Sequence, residues 1–337
     1  MSRAKQPRVA MMGRVDGADG EVAESYRLFA HDAKGSSPTY ERLALAVAAD
    51  AQALQFLAGW EAAKQNPMLL FGALRWYDAP VVDPAAALRW LADNQDRVRA
   101  VMTARRTQTN EAARCATLLP ALGLLPQPLA LIELGASAGL CMLYDEWRYH
   151  YTGADVDHWV GAEDSPVTLH CAVDGPVPLP DAVPTILWRA GLDLNPIDAA
   201  DPDARRWLEA LVWPEHHDRA ERLRTALDVA ARKRPRIDKG DIARDLPRLL
   251  EQCPSGATVV VTHSAVLTYL DPPAREAVIG QLSTAGVHRL GAEALDVLPD
   301  VTRQLPRGVD TQGQFVMSLD GKAIALAQGH GRTLHWL

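Results

Sequence analysis

Apolar residues recur at helical spacing over the first third of this 337-residue chain. The pattern is clearest between Tyr40 and Trp60, and it returns in Ala85–Leu91 and Val101–Leu119. Spacings of three and four residues place such side chains on one face of a helix. Several prolines and a glycine then fall within residues 120–128, a composition typical of a domain boundary or a rigid connector. The pattern predicts a helical N-terminal domain over residues 1–119.

From residue 120 onwards, short apolar runs alternate with amphipathic segments, the pattern of a parallel sheet built from strand–helix units. The predicted strands are Leu129–Leu134, Thr185–Ala190, Arg236–Asp238, Thr258–Thr262, Val287–Gly291, Gln314–Leu319 and Lys322–Gln328. The predicted helices are Ala138–Arg148, Pro202–Val212, Asp218–Lys233, Ile242–Gln252 and Pro272–Ala285. Asp320 and Gly321 predict a tight antiparallel hairpin between the last two strands. A turn-rich stretch at about residues 153–182 is predicted to be an insertion with a short hairpin.

The predicted fold class is therefore α/β. Residues 120–337 are expected to form a Rossmann-like, mostly parallel sheet that is closed by the antiparallel C-terminal hairpin. Five strand–helix units followed by such a hairpin match the strand inventory of the class I methyltransferase sheet. A hydrophobic share of 48% and a charged share of 23% are ordinary for a globular protein, so the composition allows a sizeable core.

The charge, cysteine and apolar patterns of the sequence argue against several kinds of partner and site. The net charge is -7, with 35 basic against 42 acidic residues, so we expect no nucleic-acid partner. The four cysteines lie far apart with no Cys-x-x-Cys pair, which predicts reduced thiols. Prolines interrupt the most apolar stretch, Leu118–Leu134, and the N-terminus has no sustained apolar run, so we expect a cytoplasmic protein without a membrane span. Adjacent His216 and His217 would point about 100° apart on a helix, and we predict no metal.

The segment Leu131–Leu140 carries the most informative motif. Its short apolar run ends in Glu133, and a small-residue turn with Gly135, Ala136, Ser137 and Gly139 follows. This is the layout of a strand, a tight ligand-binding loop and a helix whose N-terminus faces the ligand. Small residues are needed there because a side chain would keep ligand and backbone apart. We therefore expect backbone amides of this loop to be free for a ligand.

The same segment also reads Gly-x-Ser-x-Gly, which can form the nucleophile elbow of a hydrolase with Ser137 as nucleophile. Hydrolases of that fold place several strands before the nucleophile, whereas helical sequence precedes it here. Glu133 has no obvious use in an elbow, while it suits a ligand with an amine or hydroxyl groups. The spacing from Glu133 resembles an S-adenosylmethionine loop in which Ser137 replaces the middle glycine. A merely structural tight turn remains an alternative, and a dinucleotide site fits less well.

Several separated blocks together resemble an uncharacterised bacterial family, the domain of unknown function number 2332. The resemblance spans nearly the whole chain, from Ser37 to the last strands. The blocks are Arg106–Glu111 with Arg114-Cys115, Glu133–Leu140, Asp145–Tyr151, Trp188–Asp193 with Asn195-Pro196, Trp207-Leu208, Val212–Glu215, Gly240-Asp241, His263-Ser264 and Tyr269-Leu270. The resemblance implies a methyltransferase-like fold and leaves the substrate open. Cys141 departs from the family pattern, which usually has an amide at that position.

In a methyltransferase-like arrangement, ligands bind outside the carboxyl ends of the strands. Asp193 follows the second parallel strand, where such folds place an acid on the ribose hydroxyls; a turn that bonds its own backbone is the alternative. Asp241 follows the third strand and is a candidate for the adenine amine, or a helix cap. His263 and Ser264 end the fourth strand, with His263 as a candidate general base. A structural histidine and a turn-capping serine are the corresponding alternatives.

A block of hydrogen-bonding residues between Arg106 and Arg114 is the least expected feature. On a predicted helix, Thr107, Asn110, Glu111 and Arg114 share one face. Such a face is costly to bury without partners. It is a candidate lid or substrate site, together with Gln108, or else a network that locks the helical domain onto the sheet.

The sequence thus predicts an S-adenosylmethionine-dependent methyltransferase that acts on a small molecule, with fold-level analogy as its main support. One alternative is a serine hydrolase in which Ser137 is joined by His288 and by Asp241 or Asp271. Another is a non-catalytic binding protein that keeps the fold. Nothing in the sequence indicates the methyl acceptor or the oligomeric state.

Overall fold

The computed structural model describes residues 18–337, which form two compact units. The described part of the first unit runs from residue 18 to Gln108 and takes in Arg206–His217 from later in the chain. The second unit is built of Thr109–Arg205 and Asp218–Leu337. Among these residues, no helix has both the length and the apolar character that crossing a membrane requires.

The first unit is helical, as its sequence pattern predicts. Its α-helices before Gln108 are α1 (Ala18–Ala33), α2 (Pro38–Ala49), α3 (Ala51–Ala58), α4 (Pro67–Trp76), α5 (Pro84–Asp93) and α6 (Gln95–Ala104). The side chains of Ser37, Asp50 and Asp83 accept the N–H groups three residues on and so begin α2, α3 and α5. Such a cap contributes about 1 kcal/mol. Asp50 thereby divides the single helical pattern of Tyr40–Trp60 into two helices.

The core of the helical unit is aromatic. Tyr26, Tyr40 and Phe71 are fully buried, and Trp207 from the later segment is 1% exposed. The rings of Tyr40 and Phe71 lie 4.9 Å apart, and the rings of Tyr26 and Phe71 meet edge to face at 5.9 Å. Each such ring buries a large apolar area, so these contacts are a main source of the unit's stability.

The second unit is built around one eleven-stranded sheet. Its strands are β1 (Leu129–Leu134), β2 (Arg148–Thr152), β3 (Asp157–Val160), β4 (Thr168–Asp174), β5 (Ile186–Asp193), β6 (Ile237–Lys239), β7 (Thr258–Ser264), β8 (His288–Ala294), β9 (Gln314–Leu319), β10 (Lys322–Gln328) and β11 (Thr333–Trp336). The remaining helices of the chain are α7 (Arg114–Gly123), α8 (Pro202–Ala210), α9 (His217–Lys233), α10 (Ile242–Leu250), α11 (Pro272–Ala285) and α12 (Pro299–Thr302).

The strand order is β3-β2-β4-β11-β10-β9-β8-β7-β1-β5-β6. The strands β6, β5, β1, β7 and β8 are parallel neighbours, and β9 and β10 add an antiparallel hairpin. Numbered along the chain, the parallel strands follow the order 3-2-1-4-5 of a doubly wound sheet. All six residues of β1 are buried because it lies at the centre of this region. The predicted α/β class with a mostly parallel sheet and antiparallel C-terminal strands is confirmed.

The prediction of a helix over Ala138–Arg148 is wrong. Gly139 takes a left-handed conformation with φ +74°, and two short 3-10 turns follow at Leu140–Met142 and Tyr144–Glu146. At Trp147 the backbone is already in the extended conformation. The buried indole of Trp147 donates from Nε1 to the carbonyl of Leu140 at 3.2 Å. The apolar residues here have helical spacing, but the hydrogen bond from the buried tryptophan stabilises two short turns instead of a helix, and β2 follows directly.

The prediction of one helix over Val101–Leu119 is also wrong in its middle. The helix α6 ends at Ala104, Arg105 is extended, and α7 begins only at Arg114. Residues 105–110 have no regular secondary structure, and within 105–113 Asn110 and Glu111 bond to groups that are distant in the sequence. Residues 148–174 form the antiparallel β2–β3 hairpin and β4, which pairs in parallel with β2; the strand β2 lies before the predicted insertion at about residues 153–182.

Candidate functional site

The carboxyl ends of β1, β5 and β7 form one edge of the sheet, and the predicted site residues gather there. In the register, Leu134 of β1 lies beside Leu192 of β5 and beside His263 of β7. The chain passes from β1 to β5 on one side and places β7 on the other, so the strand order reverses between β1 and β7. Ligands of doubly wound sheets bind outside the carboxyl ends at such a reversal.

The loop after β1 hydrogen-bonds to the protein's own side chains. The N–H of Ser137 donates to Oδ2 of Asp193 at 2.8 Å, and the N–H of Ala138 donates to Oδ1 of Asn110 at 3.0 Å. Asn110 Nδ2 in turn donates to Oγ of Ser137 at 2.9 Å. The expectation that these loop amides are free for a ligand is therefore wrong. Side-chain oxygens of Asp193 and Asn110 accept the N–H groups that were expected to bind a ligand.

The glycines of the loop make room for protein atoms. A Cβ added to Gly135, which has φ +69°, would lie 2.5 Å from Cγ2 of Val266. One added to Gly139 would lie 2.7 Å from Cγ of Pro235. Ala136 is equally confined, because a Cβ on Gly191 would come within 2.5 Å of it. The sequence correctly marks these positions as small, but the close approach that the structure shows is internal packing.

Glu133 is buried at the end of β1, and its Oε2 atom has no hydrogen-bond partner among the described residues. Burial raises the pKa of Glu133 well above its ordinary value, Cys141 and Asp193 push it the same way, and the charge of Arg114 offsets only part of this rise. Arg114 is held beside this edge because its Nε donates to the carbonyl of Gly329 at 2.9 Å and its Nη1 donates to that of Ser264 at 3.1 Å. The site thus contains an acid whose protonated form is favoured by burial and whose ionised form a nearby positive charge would stabilise.

Asp193 and Asp241, both proposed to bind a cofactor, differ in what they do. Asp193 is 8% exposed and bridges the ends of β1 and β5, since its Oδ1 accepts from the N–H of Asn195 at 2.7 Å while its Oδ2 holds Ser137. Asp241 caps α10, accepting from the N–H groups of Ala243 and Arg244 at 2.9 and 3.2 Å. For Asp241, the structure shows the helix cap that the sequence left as its alternative. Asp193 lies in the candidate site.

His263 forms a buried pair with Glu293 of β8, a residue that the sequence analysis missed. The two side chains meet at 2.8 Å through Nδ1 and Oε1, and both are fully buried. Glu293 Oε1 also accepts the N–H groups of Val266 and Leu267 at 3.3 and 3.2 Å, so it fixes the loop after β7. His263 Nε2 has no partner among the described residues. Ser264 contributes its backbone carbonyl to Arg114. An acid inside the apolar β8 segment is the sequence signal for Glu293.

The block between Arg106 and Arg114 is divided between the units. Thr107 and Gln108 are half-buried residues of the helical unit, whereas Asn110, Glu111 and Arg114 belong to the sheet unit. Glu111 is 4% exposed and accepts from Arg219 Nε at 2.8 Å and from Arg222 Nε at 3.0 Å. Burial alone would raise the pKa of Glu111, but the charges and hydrogen bonds of Arg222 and Arg219 outweigh it and leave the pKa below its ordinary value.

The residues of the hydrolase alternative are engaged separately. Ser137 bonds to Asn110, and His288 Nδ1 bonds to Oδ2 of Asp320 at 2.8 Å. Asp271 caps α11 through the N–H of Ala274 at 2.8 Å, much as Asp241 caps α10. The loop shares with an elbow its Gly-x-Ser-x-Gly sequence and the left-handed backbone of Ser137, with φ +51°. All four cysteines are free thiols.

Within residues 18–337, no group of three or more His, Cys, Asp or Glu side chains is arranged so that it could hold a metal ion. A family model described as "Uncharacterized protein conserved in bacteria (DUF2332)" matches residues 23–336. The match covers nearly the whole chain and confirms the family resemblance predicted from the sequence. A comparison with curated proteins finds no match.

Proposed function

We propose that this chain, which belongs to the DUF2332 family of bacterial proteins, is an S-adenosylmethionine-dependent methyltransferase that acts on a small molecule. The observation that supports this proposal most directly is the buried Oε2 atom of Glu133, which has no hydrogen-bond partner within residues 18–337. It lies at the end of the central strand in a sheet of doubly wound order, where that fold binds its ligands.

The side chains at this edge fit the separate parts of that cofactor. Glu133 suits a cationic group, because an ammonium or sulfonium beside it would lower its raised pKa and gain a charge-assisted hydrogen bond or ion pair. Arg114 supplies a positive charge for a carboxylate. Asp193 accepts one N–H on each oxygen and keeps lone pairs for hydroxyl groups. Because the amides of Ser137 and Ala138 are already bonded, the proposal assigns binding to these side chains.

When bound, the cofactor supplies an electrophilic methyl group on its sulfonium. The protein's part is to hold donor and acceptor in line, which can contribute about 7–11 kcal/mol to lowering the barrier. His263 is the candidate base for an acceptor that carries a proton. Its Nδ1 pairs with Oε1 of Glu293, and in the tautomer in which Nδ1 donates, the lone pair for that proton is on the buried Nε2 atom.

The test is thermal-shift and calorimetric titration of the full chain with S-adenosylmethionine and with S-adenosylhomocysteine. We expect saturable stabilisation of the wild type by mass action. Glu133→Gln should weaken binding about 10-fold or more, because it removes a charge-assisted hydrogen bond. Asp271→Asn is the matched control: it makes the same acid-to-amide change at a helix cap where Asn serves as well as Asp, and it should leave binding unchanged.

Absence of any shift for the wild type at millimolar concentrations of both compounds would reject the proposal. Ser137→Ala separates it from hydrolysis, since a serine hydrolase would lose all esterase turnover while a cofactor site keeps most of its affinity. Binding of both compounds, without methyl transfer to any small-molecule acceptor, would favour a binding protein that keeps the fold.

A further inference from the structure

Two histidines face each other on the exposed side of the sheet, away from the site described above. His150 of β2 and His170 of β4 are direct partners in the parallel register, so their side chains leave the same face of the sheet. Their Nδ1 atoms lie 3.2 Å apart. Two nitrogen ligands of a tetrahedral zinc ion, each at about 2.0–2.1 Å, stand roughly 3.3 Å apart. The nitrogen separation therefore already matches one edge of a zinc coordination tetrahedron.

The surroundings of His150 orient its ring for ligation through Nδ1. Its Nε2 bonds to Oδ1 of Asp157 on β3 at 2.7 Å, which assigns the Nε2 proton to that contact and leaves the lone pair on Nδ1. The ring of Trp159 stacks on it at 3.9 Å with an interplanar angle of 9° and fixes its plane. A carboxylate behind a metal-binding histidine is the usual outer partner in zinc sites.

His170 is suited to ligation for a complementary reason. It is exposed on β4, so its ring can take the tautomer that carries the proton on Nε2 and leaves the Nδ1 lone pair for an ion. The cations in the area oppose binding: Arg148 lies 4.3 Å over the Trp159 ring, and Arg222 is close enough to act on His170. They reduce the affinity for a divalent ion, and Asp157 partly compensates them.

We propose that His150 and His170 form a two-histidine site for a divalent transition metal of the zinc type, with Asp157 as the outer carboxylate and water completing the coordination. The ion takes the place of the proton between the two Nδ1 atoms. His170 then carries its ring proton on Nε2 instead of Nδ1, so both imidazoles stay neutral and no net proton is released. Imidazole ligands favour zinc, copper and nickel over magnesium and calcium, so the latter should not compete.

The experiment is calorimetric titration of the untagged full chain with zinc sulfate, supported by the visible spectrum of the cobalt(II) form. We expect one saturable site per chain whose affinity falls at least 10-fold in His150→Ala and in His170→Ala. Asp157→Asn should weaken it about 10-fold, the usual effect of losing an outer partner. His335→Ala is the matched control, because His335 is an exposed histidine of the same sheet that pairs with a carboxylate, Asp174, at 2.9 Å.

Wild-type protein without saturable zinc binding at millimolar concentration would overturn the proposal. Equal weakening by His335→Ala would do so as well, since it would indicate unspecific surface binding. His170 is exposed, whereas the His150 side chain is 19% exposed and stacks on Trp159, so the thermal stability of each variant is measured beside its zinc binding. A variant that loses binding while it retains the thermal stability of the wild type supports the site.

Discussion

Glu133 is only 8% exposed, and its Oε2 atom has no hydrogen-bond partner in the part of the chain that the structure describes. Ionising an acid in such a place costs free energy, which is why burial raises its pKa. The folded protein therefore binds the Glu133 proton more tightly than the unfolded chain does. By linkage, the stabilising contribution is complete below the unfolded pKa of about 4.3 and is lost as pH rises towards the folded pKa.

Glu133→Gln tests this cost because the amide keeps the shape of the protonated acid and does not titrate. We expect the free energy of unfolding of the variant to rise relative to wild type as pH increases above about 4.3, by up to about 1.4 kcal/mol per pH unit. Urea unfolding at several pH values between 4 and 8 measures the difference, in which the titration of all other groups largely cancels. Two curves that stay parallel over this range would show that Glu133 titrates normally and would remove the main support for a cation site.

At the scale of elements, α9 is joined to the irregular segment before α7 through a buried ion cluster. Glu111 is 4% exposed and binds both Arg219 and Arg222, which lie on neighbouring positions of one helix face. A buried ion pair is weak evidence for net stability, but removal of one partner leaves the other charge without compensation. The cluster fixes the segment before α7, which also contains Asn110, the acceptor of an N–H group in the loop after β1.

Glu111→Gln should therefore lower the free energy of unfolding by about 3–5 kcal/mol at pH 7. Because the arginines hold the Glu111 pKa below its ordinary value, the difference from wild type should shrink as pH falls below about 4.3. Asp228→Asn provides the control, since Asp228 of the same helix pairs with Arg205 while 55% exposed and such pairs contribute about 1 kcal/mol or less. Equal effects of the two variants in urea unfolding would contradict the role of the cluster.

Sequence patterns predicted helices and strands best where turn-forming or capping residues mark both ends of the element. The strands β1, β9 and β10 lie where the sequence predicted them, between turn-forming residues, and α11 runs from the Asp271 cap to the left-handed Gly286. The helix expected after Ala138 failed because the decisive contact, from the Trp147 indole to Leu140, is tertiary. Hydrophobic spacing alone could not distinguish it from two short turns.

The sequence predicted those residues of the candidate site whose position follows from the strand topology. Neighbouring parallel strands end at one edge, so Glu133, Ser137 and Asp193 had to lie close together once the strands were identified. Their partners Asn110 and Glu293 come from distant parts of the sequence, and no local pattern links them to the site. The His150–His170 pair was missed for the same reason. The two histidines are 20 residues apart in the sequence, and only the register between β2 and β4 brings them together.

At the scale of the whole molecule, the distribution of cysteines offers a probe of cooperativity. All four free cysteines belong to the sheet unit. Cys115 of α7 is 0% exposed and Cys171 of β4 is 1% exposed, while Cys253 is only partly buried. Burial also raises the pKa of Cys171 to about 12, which lowers its reactive thiolate fraction in the folded state. Cys115 and Cys171 therefore report on opening in two different parts of one sheet unit.

If the eleven strands unfold as one unit, Cys115 and Cys171 must become reactive together. We expect both thiols to label about 1,000-fold or more slowly than in the unfolded chain, with the same dependence on urea, because each requires an opening of about 5 kcal/mol or more. Cys253 should label faster and respond less to urea, which makes it the internal control. Thiol labelling with peptide mass analysis measures all of them at once. A shallower urea dependence for Cys171 than for Cys115 would show instead that β2, β3 and β4 open separately from the parallel strands. The sheet face that carries His150 and His170 would then belong to a less stable part of the sheet.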